Sequence, residues 1–215
     1  MKRNLELKHF DFNNYGPVTF LDVSDSGLEQ LELIQYPALQ VLDCHNNEIK
    51  VLNPKFAPQL RCIQCGENKL TELDVSKNER LECLYSNKNP LTSLKLGHHP
   101  DLKDIHLYNT NLTDLNLQNM PKLEYLACCN NELNSLNLSK LGKLKTLRCY
   151  TNNLTELDLS NMPNLELLIC YQNNIKYLDV ACCPKLETII CDQSVSVKIR
   201  PDQNRISDPI TGVLK

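Results

Sequence analysis

The sequence has no tryptophan, only six glycines, and aromatic residues at 6% of its 215 positions. No apolar run approaches the roughly 20 residues that a membrane-spanning helix needs, so we expect no membrane span. So few glycines leave no glycine-rich phosphate loop, and the GxSxG and HExxH motifs of hydrolases do not occur. We find no candidate catalytic residues and no metal-ligand motif, and we expect neither an enzyme nor a cofactor.

An excess of positive charge is also missing. The net charge is −3, with acidic and basic residues interspersed. A nucleic-acid-binding protein would favour a basic face, so we expect no nucleic-acid partner. We also expect the protein to be a monomer. The basic N-terminus is followed by no apolar core or cleavage site of a signal peptide. The expected location is the cytoplasm, or outside the cell by a route without a classical leader.

What the sequence does have is a repeat of constant length. Blocks with the pattern L-x-x-L-x-C-x-x-N-x-L-x-x-L-x-L begin every 21 residues, and an earlier block in the same phase begins at Val18. The block starts are Leu39, Leu60, Leu81, Leu102, Leu123, Leu144, Leu165 and Leu186. An unbroken period of this kind predicts a solenoid, in which neighbouring coils stack to bury a continuous core.

The core of each block reads "LQVLDCHNN", "LRCIQCGEN", "LEYLACCNN", "LKTLRCYTN" or "LELLICYQN". This pattern resembles leucine-rich repeats, and with a 21-residue period and cysteine at the sixth position it is most similar to bacterial internalins of the cysteine-ladder (internalin J) type. The resemblance implies a leucine-rich-repeat solenoid: a β-rich, right-handed superhelix of about eight to nine coils with a parallel concave sheet. It also implies a bacterial, virulence-related protein that binds another protein, either an effector or a surface adhesin.

The second half of each block, such as "LTELDLS", alternates apolar and polar residues and predicts a second extended segment rather than a helix. We divide the single domain into an N-terminal cap at 1–17, a solenoid at 18–195, and a C-terminal cap and tail at 196–215. The alternation of Val195, Val197 and Ile199 predicts a capping strand at the start of the last region.

Strand alternation separates the paired cysteines of "LACCNN". Leu126 and Cys128 are predicted to point inward, and Tyr125, Ala127 and Cys129 outward. The inward column contains Cys44, Cys65, Ser86, Leu107, Cys128, Cys149, Cys170 and Cys191. Since cysteine alternates with leucine there, it is interpreted as a small buried hydrophobe. The common Cβ direction of parallel strands disfavours disulfides, and so many free thiols favour a reducing compartment.

Polar residues at other fixed positions have structural and chemical interpretations. Asn47, Asn68, Asn89, Asn131, Asn152 and Asn173 share the position where the strand turns, and are expected to bond backbone groups left unpaired by the bend. His98 and His99 are expected in a surface turn. The outward Cys62 and Cys83 lie one coil apart, which leaves open a thiol- or metal-dependent protein that uses them together with Cys129.

The third, fifth and seventh positions of each block face outward on the concave side, and tyrosine is concentrated there beyond an even distribution. The residues predicted to bind a partner are Tyr85, His106, Tyr108, Tyr125, Arg148, Tyr150, Leu167, Ile169 and Tyr171. A cluster of aromatic and apolar side chains on a curved surface is typical of a protein interface, where Tyr and Arg often contribute most of the binding energy. The sequence therefore predicts a non-catalytic protein-binding module.

Overall fold

The structure is a computed structural model that describes residues 17–200. The predicted N-terminal cap falls outside the described residues except for Pro17, and so does the chain from Pro201 onward. No helix among the described residues has the length and apolar character needed to cross a membrane.

The described chain is built from short strands and one 3-10 helical turn, Pro54–Phe56. The strands are β1 (Phe20–Asp22), β2 (Val41–Asp43), β3 (Cys62–Gln64), β4 (Glu72–Asp74), β5 (Cys83–Tyr85), β6 (Ser93–Lys95), β7 (Asp104–His106), β8 (Tyr125–Ala127), β9 (Thr146–Arg148), β10 (Leu167–Ile169), β11 (Tyr177–Asp179), β12 (Thr188–Ile190) and β13 (Ser196–Lys198).

One strand from each coil joins a nine-stranded parallel sheet in the order β1-β2-β3-β5-β7-β8-β9-β10-β12. The register follows the repeat, so that Leu126 of β8 pairs with Leu147 of β9, one repeat later. The predicted leucine-rich-repeat solenoid is confirmed. Strands from the second half of the coils form two small sheets, β4 with β6 and β11 with β13. The last of these strands lies where the capping strand was predicted.

The core lies behind the large sheet and runs the length of the solenoid. The central residue of each strand from β2 onward in this sheet is buried: Leu42, Ile63, Leu84, Ile105, Leu126, Leu147, Leu168 and Ile189. The inward cysteine column is buried as predicted, and its cysteines are free thiols. Burial raises the pKa of the Cys65 thiol to about 12, so it stays protonated at neutral pH.

The asparagine ladder is present and connects successive coils. The Nδ2 atom of Asn68 donates to the carbonyl oxygens of Cys44 in the preceding coil, at 2.9 Å, and of Cys65 in its own coil, at 3.2 Å. Its Oδ1 atom accepts the backbone N–H of Ile49 at 3.0 Å. One amide thus satisfies donors and acceptors of two coils, because it carries both kinds of group.

Two features of the coil differ from the expectation or were not foreseen. His99 is fully buried rather than exposed in a surface turn, because it occupies the repeat position at which Met120, Leu141 and Met162 are also buried. The eighth residue of every coil from Val18 to the one that begins at Leu165 adopts the left-handed conformation, with φ between 52° and 56°. These residues are Asp25, Asn46, Glu67, Lys88, Asn109, Asn130, Thr151 and Gln172.

Candidate functional site

The nine predicted partner-binding residues all lie on the solvent side of the large sheet or just beyond its strands, and all are half-buried. We call this set (Tyr85, His106, Tyr108, Tyr125, Arg148, Tyr150, Leu167, Ile169 and Tyr171) the concave patch. Each member alternates with a buried residue along its coil, as the period-two geometry of a strand requires. The structure brings the nine residues into two aromatic clusters with Arg148 near the boundary.

The first cluster is centred on His106. Its imidazole lies 4.6 Å from the ring of Tyr85 and 4.9 Å from that of Tyr125, measured between centroids, with Tyr108 at 6.1 Å. The Tyr85 hydroxyl donates to Asp104 Oδ2 at 2.8 Å. Burial, together with this bond to a carboxylate, raises the pKa of Tyr85 to about 12, so the phenol remains a neutral donor. Sequence reasoning missed Asp104, although its third position in the repeat gave the signal.

The second cluster is the stacked pair Tyr150 and Tyr171, with ring centroids 4.7 Å apart and an interplanar angle of 5°. A hydrogen bond with the Cys129 thiol, together with burial, raises the pKa of Tyr150 to about 12. Leu167 and Ile169 occupy the outward positions of β10 beside this pair. The cluster therefore presents two aromatic faces and two aliphatic side chains next to each other on the solvent side.

Two small residues, Ala127 and Cys129, lie between the two clusters. Both were predicted to face outward and Cys129 to be accessible, but each is only 3% exposed. In the sheet register, Ala127 lies between His106 and Arg148, which are much taller side chains. Cys129 occupies the same coil, and its thiol is hydrogen-bonded to the side chain of Tyr150 in the next coil. Small residues on an outer face are buried here because their neighbours overhang them.

Cys62 and Cys83 were predicted to be free thiols, and the structure instead joins them in a disulfide. They are directly opposite each other on β3 and β5, and their Cα atoms are 4.8 Å apart, within the range that disulfides span. Both are half-buried, so the outward side chains have room to turn towards each other, whereas the inward cysteines are held by core packing. Within residues 17–200, no group of three or more His, Cys, Asp or Glu side chains is arranged to hold a metal ion.

The charges on this face are unevenly distributed. At the N-terminal end, Asp43 Oδ1 lies 2.6 Å from His45 Nδ1, and this hydrogen bond raises the pKa of the imidazole. Further along, His106 Nε2 lies 3.1 Å from Asp104 Oδ1. Arg148 differs, because it forms no ion pair with any residue of the described chain.

The coils of constant length, the nine-stranded parallel sheet and the asparagine ladder define a leucine-rich-repeat solenoid. No protein-family model matches the sequence, and no curated protein matches it. Several solved structures do match this chain. The functional domain of InlJ from Listeria monocytogenes, whose description includes a cysteine ladder, is 27% identical, with a TM-score of 0.73 over 89% of this chain and 50% of its own. This chain thus spans half the length of that protein.

Two further structures show the same fold at lower identity. Internalin C2 of Listeria monocytogenes is 23% identical over 81% of this chain and 80% of its own, with a TM-score of 0.67. The leucine-rich repeat domain of APL1B is 20% identical over 92% of this chain and 69% of its own, with a TM-score of 0.73. The resemblance to internalins that the repeat predicted is confirmed.

Proposed function

We propose that this protein is a non-catalytic interaction module that binds a protein partner through the concave patch. The observation that supports this proposal is the pair of aromatic clusters on the solvent side of a sheet whose other side is the core. Tyrosine offers apolar area and a hydroxyl at low entropic cost, which is why it is frequent in binding surfaces. The similarity to InlJ favours a bacterial, virulence-related protein, either an effector or a surface adhesin.

The competing proposal, a thiol- or metal-dependent protein, loses support from the arrangement of its three cysteines. Cys62 and Cys83 are joined in a disulfide, and Cys129 is buried. Catalysis by a free thiol needs an accessible sulfur with a lowered pKa, whereas burial raises the pKa of Cys129. The concave patch is therefore the surface to test first.

The test compares immobilised wild-type protein with a Tyr150→Ala, Tyr171→Ala double variant in lysates of the source organism and of any host. Lys140→Ala is the control, because Lys140 is exposed in the turn that closes the coil, away from the sheet. The affinity of each retained partner is then measured by calorimetry. We expect each tyrosine change to weaken binding by about 1–3 kcal/mol, as interface hot spots do, and the control to bind like wild type. A partner whose affinity is unchanged by the tyrosine substitutions but falls on Lys140→Ala would contradict the proposal.

A further inference from the structure

Arg148 carries a positive charge that the described chain leaves without a counterion. Some cations of the solenoid pair with a carboxylate of the neighbouring coil, such as Lys145 with Glu124 at 2.7 Å and Lys122 with Asp101 at 2.6 Å. Arg148 has no such partner within residues 17–200, and its Nε atom is buried without a hydrogen bond. A buried donor without a partner costs free energy, and a binding partner can recover it by supplying an acceptor.

The surroundings of Arg148 are apolar and aromatic. In the sheet register its neighbours are Ala127 on one side and Ile169 on the other, neither of which is charged. Burial raises the pKa of Tyr125 and of Cys129, and the nearby charge of Arg148 acts in the opposite direction on both. The guanidinium is therefore surrounded by Tyr125, Cys129 and Ile169, and Arg148 is half-buried, so that a group on a partner could reach it from the solvent side.

Arg148 lies beside the second cluster, because it pairs with Ile169 in the sheet register and neighbouring coils are stacked about 4.8 Å apart. Its side chain is half-buried, so part of it is accessible from the solvent side. An extended segment that crosses the sheet could place one side chain at Arg148 while its neighbours contact Tyr150, Ile169 and Tyr171.

A guanidinium presents donors in a planar fork that matches a carboxylate, and the match is strongest where water is excluded. We propose that Arg148 anchors an aspartate or glutamate of the partner, set in a segment with apolar or aromatic residues that pack on the second cluster. This inference rests on the proposed function and names the chemistry of the partner.

A carboxylate is favoured over a phosphate because Arg148 acts alone. Phosphate groups carry more charge and are usually held by clusters of arginines. The imidazole of the patch, that of His106, lies 3.1 Å from Asp104 Oδ1, and this carboxylate would repel a doubly charged group. A single uncompensated cation suits a single negative charge.

The test uses a random-peptide library displayed on phage and selected on wild-type protein. Selected peptides are synthesised and their affinities are measured on wild type, Arg148→Gln, Arg148→Lys and Tyr171→Ala, each checked by thermal melting. We expect the peptides to be enriched in Asp or Glu. Affinity should fall about tenfold or more on Arg148→Gln and by an intermediate factor on Arg148→Lys, which keeps the charge but loses the fork. When the acidic residue of a selected peptide is replaced by the corresponding amide, the affinity for Arg148→Gln should fall little further.

The other outcomes separate the two proposals. Peptides that lose affinity on Tyr171→Ala, carry no acidic residue and bind Arg148→Gln like wild type would overturn the role of Arg148 and leave the concave patch as the binding surface. Failure to select any peptide that depends on either position would overturn both. A peptide that binds about tenfold more tightly when its acidic residue is replaced by phosphoserine would overturn the choice of carboxylate over phosphate.

Discussion

The Nδ2 atom of Asn131 donates a hydrogen bond to the carbonyl oxygen of Leu107 in the preceding coil, over 2.8 Å. The same nitrogen reaches the carbonyl of Cys128 at 3.1 Å, and Oδ1 accepts the N–H of Leu112 at 3.0 Å. Apart from the chain itself, the coils that Asn131 connects share no covalent link, so this amide adds to the backbone hydrogen bonds that hold them together. The ladder is a means of stacking coils rather than a binding site.

We expect Asn131→Ala to lower the free energy of unfolding by about 1–3 kcal/mol, because it leaves backbone groups of two coils without partners. The measurement is urea unfolding followed by circular dichroism. Asn134→Ala is the control: this asparagine is exposed and its Nδ2 makes only one long bond, 3.4 Å to Glu132. The control should stay within about 0.5 kcal/mol of wild type. Equal stability of the two variants would remove the ladder as a source of stability.

The ladder, the sheet register and the inward cysteine column could be predicted because each depends only on period. A 21-residue repeat with no insertion places Asn131 over Thr110 and under Asn152, whatever the other residues are. The same reasoning assigned Leu126 and Cys128 to the core. Alternation along a strand determines towards which side of the sheet each side chain points. For the long leucine side chains, this direction alone decides whether they are buried.

The cysteines differ in access, and this gives a second prediction. In native protein under non-reducing conditions, Cys182 should react promptly with a thiol reagent, because it is exposed and free. Cys128 and Cys149 should react only on unfolding, and Cys129 should be slow because it is buried. Mild reduction should add Cys62 and Cys83 to the labelled set. The readout is peptide mapping by mass spectrometry.

Cys182→Ser is the matched variant and should abolish the prompt reaction without changing the melting temperature. Prompt labelling of Cys62 and Cys83 without reductant would show that their disulfide is absent in solution. Labelling of Cys129 as fast as Cys182 would mean that Cys129 is not buried in solution.

The burial of Cys129 and the pairing of Cys62 with Cys83 could not be predicted from period and alternation. Burial on an outer face depends on the height of side chains one coil away, such as His106 and Arg148 around Ala127. A disulfide depends on how two outward side chains rotate, and the shared direction of their strands does not determine this. Both properties are set by neighbours that the repeat pattern leaves variable.

A third prediction concerns Thr151, which adopts φ = 55° at the eighth position of its coil. The left-handed conformation costs a β-branched residue about 1–2 kcal/mol, whereas asparagine adopts it readily. Asn109 and Asn130 occupy the equivalent positions, and their side chains bond each other at 2.6 Å. We expect Thr151→Asn to raise the free energy of unfolding by about 0.5–1 kcal/mol. Its amide can keep the bond that Thr151 makes to Gln172 Oε1 at 2.7 Å.

The reverse change, Asn130→Thr, should destabilise the protein by a similar amount, and both variants are measured by urea unfolding. If Thr151→Asn destabilises, packing around the threonine methyl group outweighs the backbone cost. The frequency of Asn and Asp at this position was the signal in the sequence, but Glu67, Lys88 and Gln172 in the same column obscured it.

The last prediction concerns pH. His99 is fully buried between Asn78 of the preceding coil and Met120 of the next, and its Nε2 accepts the N–H of Gly97 at 3.1 Å. Its Nδ1 atom is buried. Burial lowers the pKa of this imidazole below its ordinary value of 6.5, and the neighbouring His98 acts in the same direction, while a hydrogen bond with the backbone of Asn78 and the charge of Glu79 act against it. The folded state therefore favours the neutral ring.

Because the pKa of His99 is lower in the folded than in the unfolded chain, the unfolded state binds more protons as the pH falls below 6.5. The contribution of His99 to stability is fully present above that pH and is lost as the pH falls towards its folded pKa. The pH dependence that His45 contributes has the opposite sign, since the hydrogen bond to Asp43 raises its pKa, so the comparison must be made against a variant rather than on wild type alone.

His99→Met places in this position the residue that the next coil has there, Met120, and removes the titrating group. We expect the free energy of unfolding of wild type to fall more than that of His99→Met between about pH 7.5 and pH 5, the range over which an unfolded histidine becomes protonated. Urea unfolding at both pH values measures the two slopes. Parallel slopes would mean that His99 is protonated to the same extent in the folded and unfolded chains, and would contradict its burial as a neutral ring.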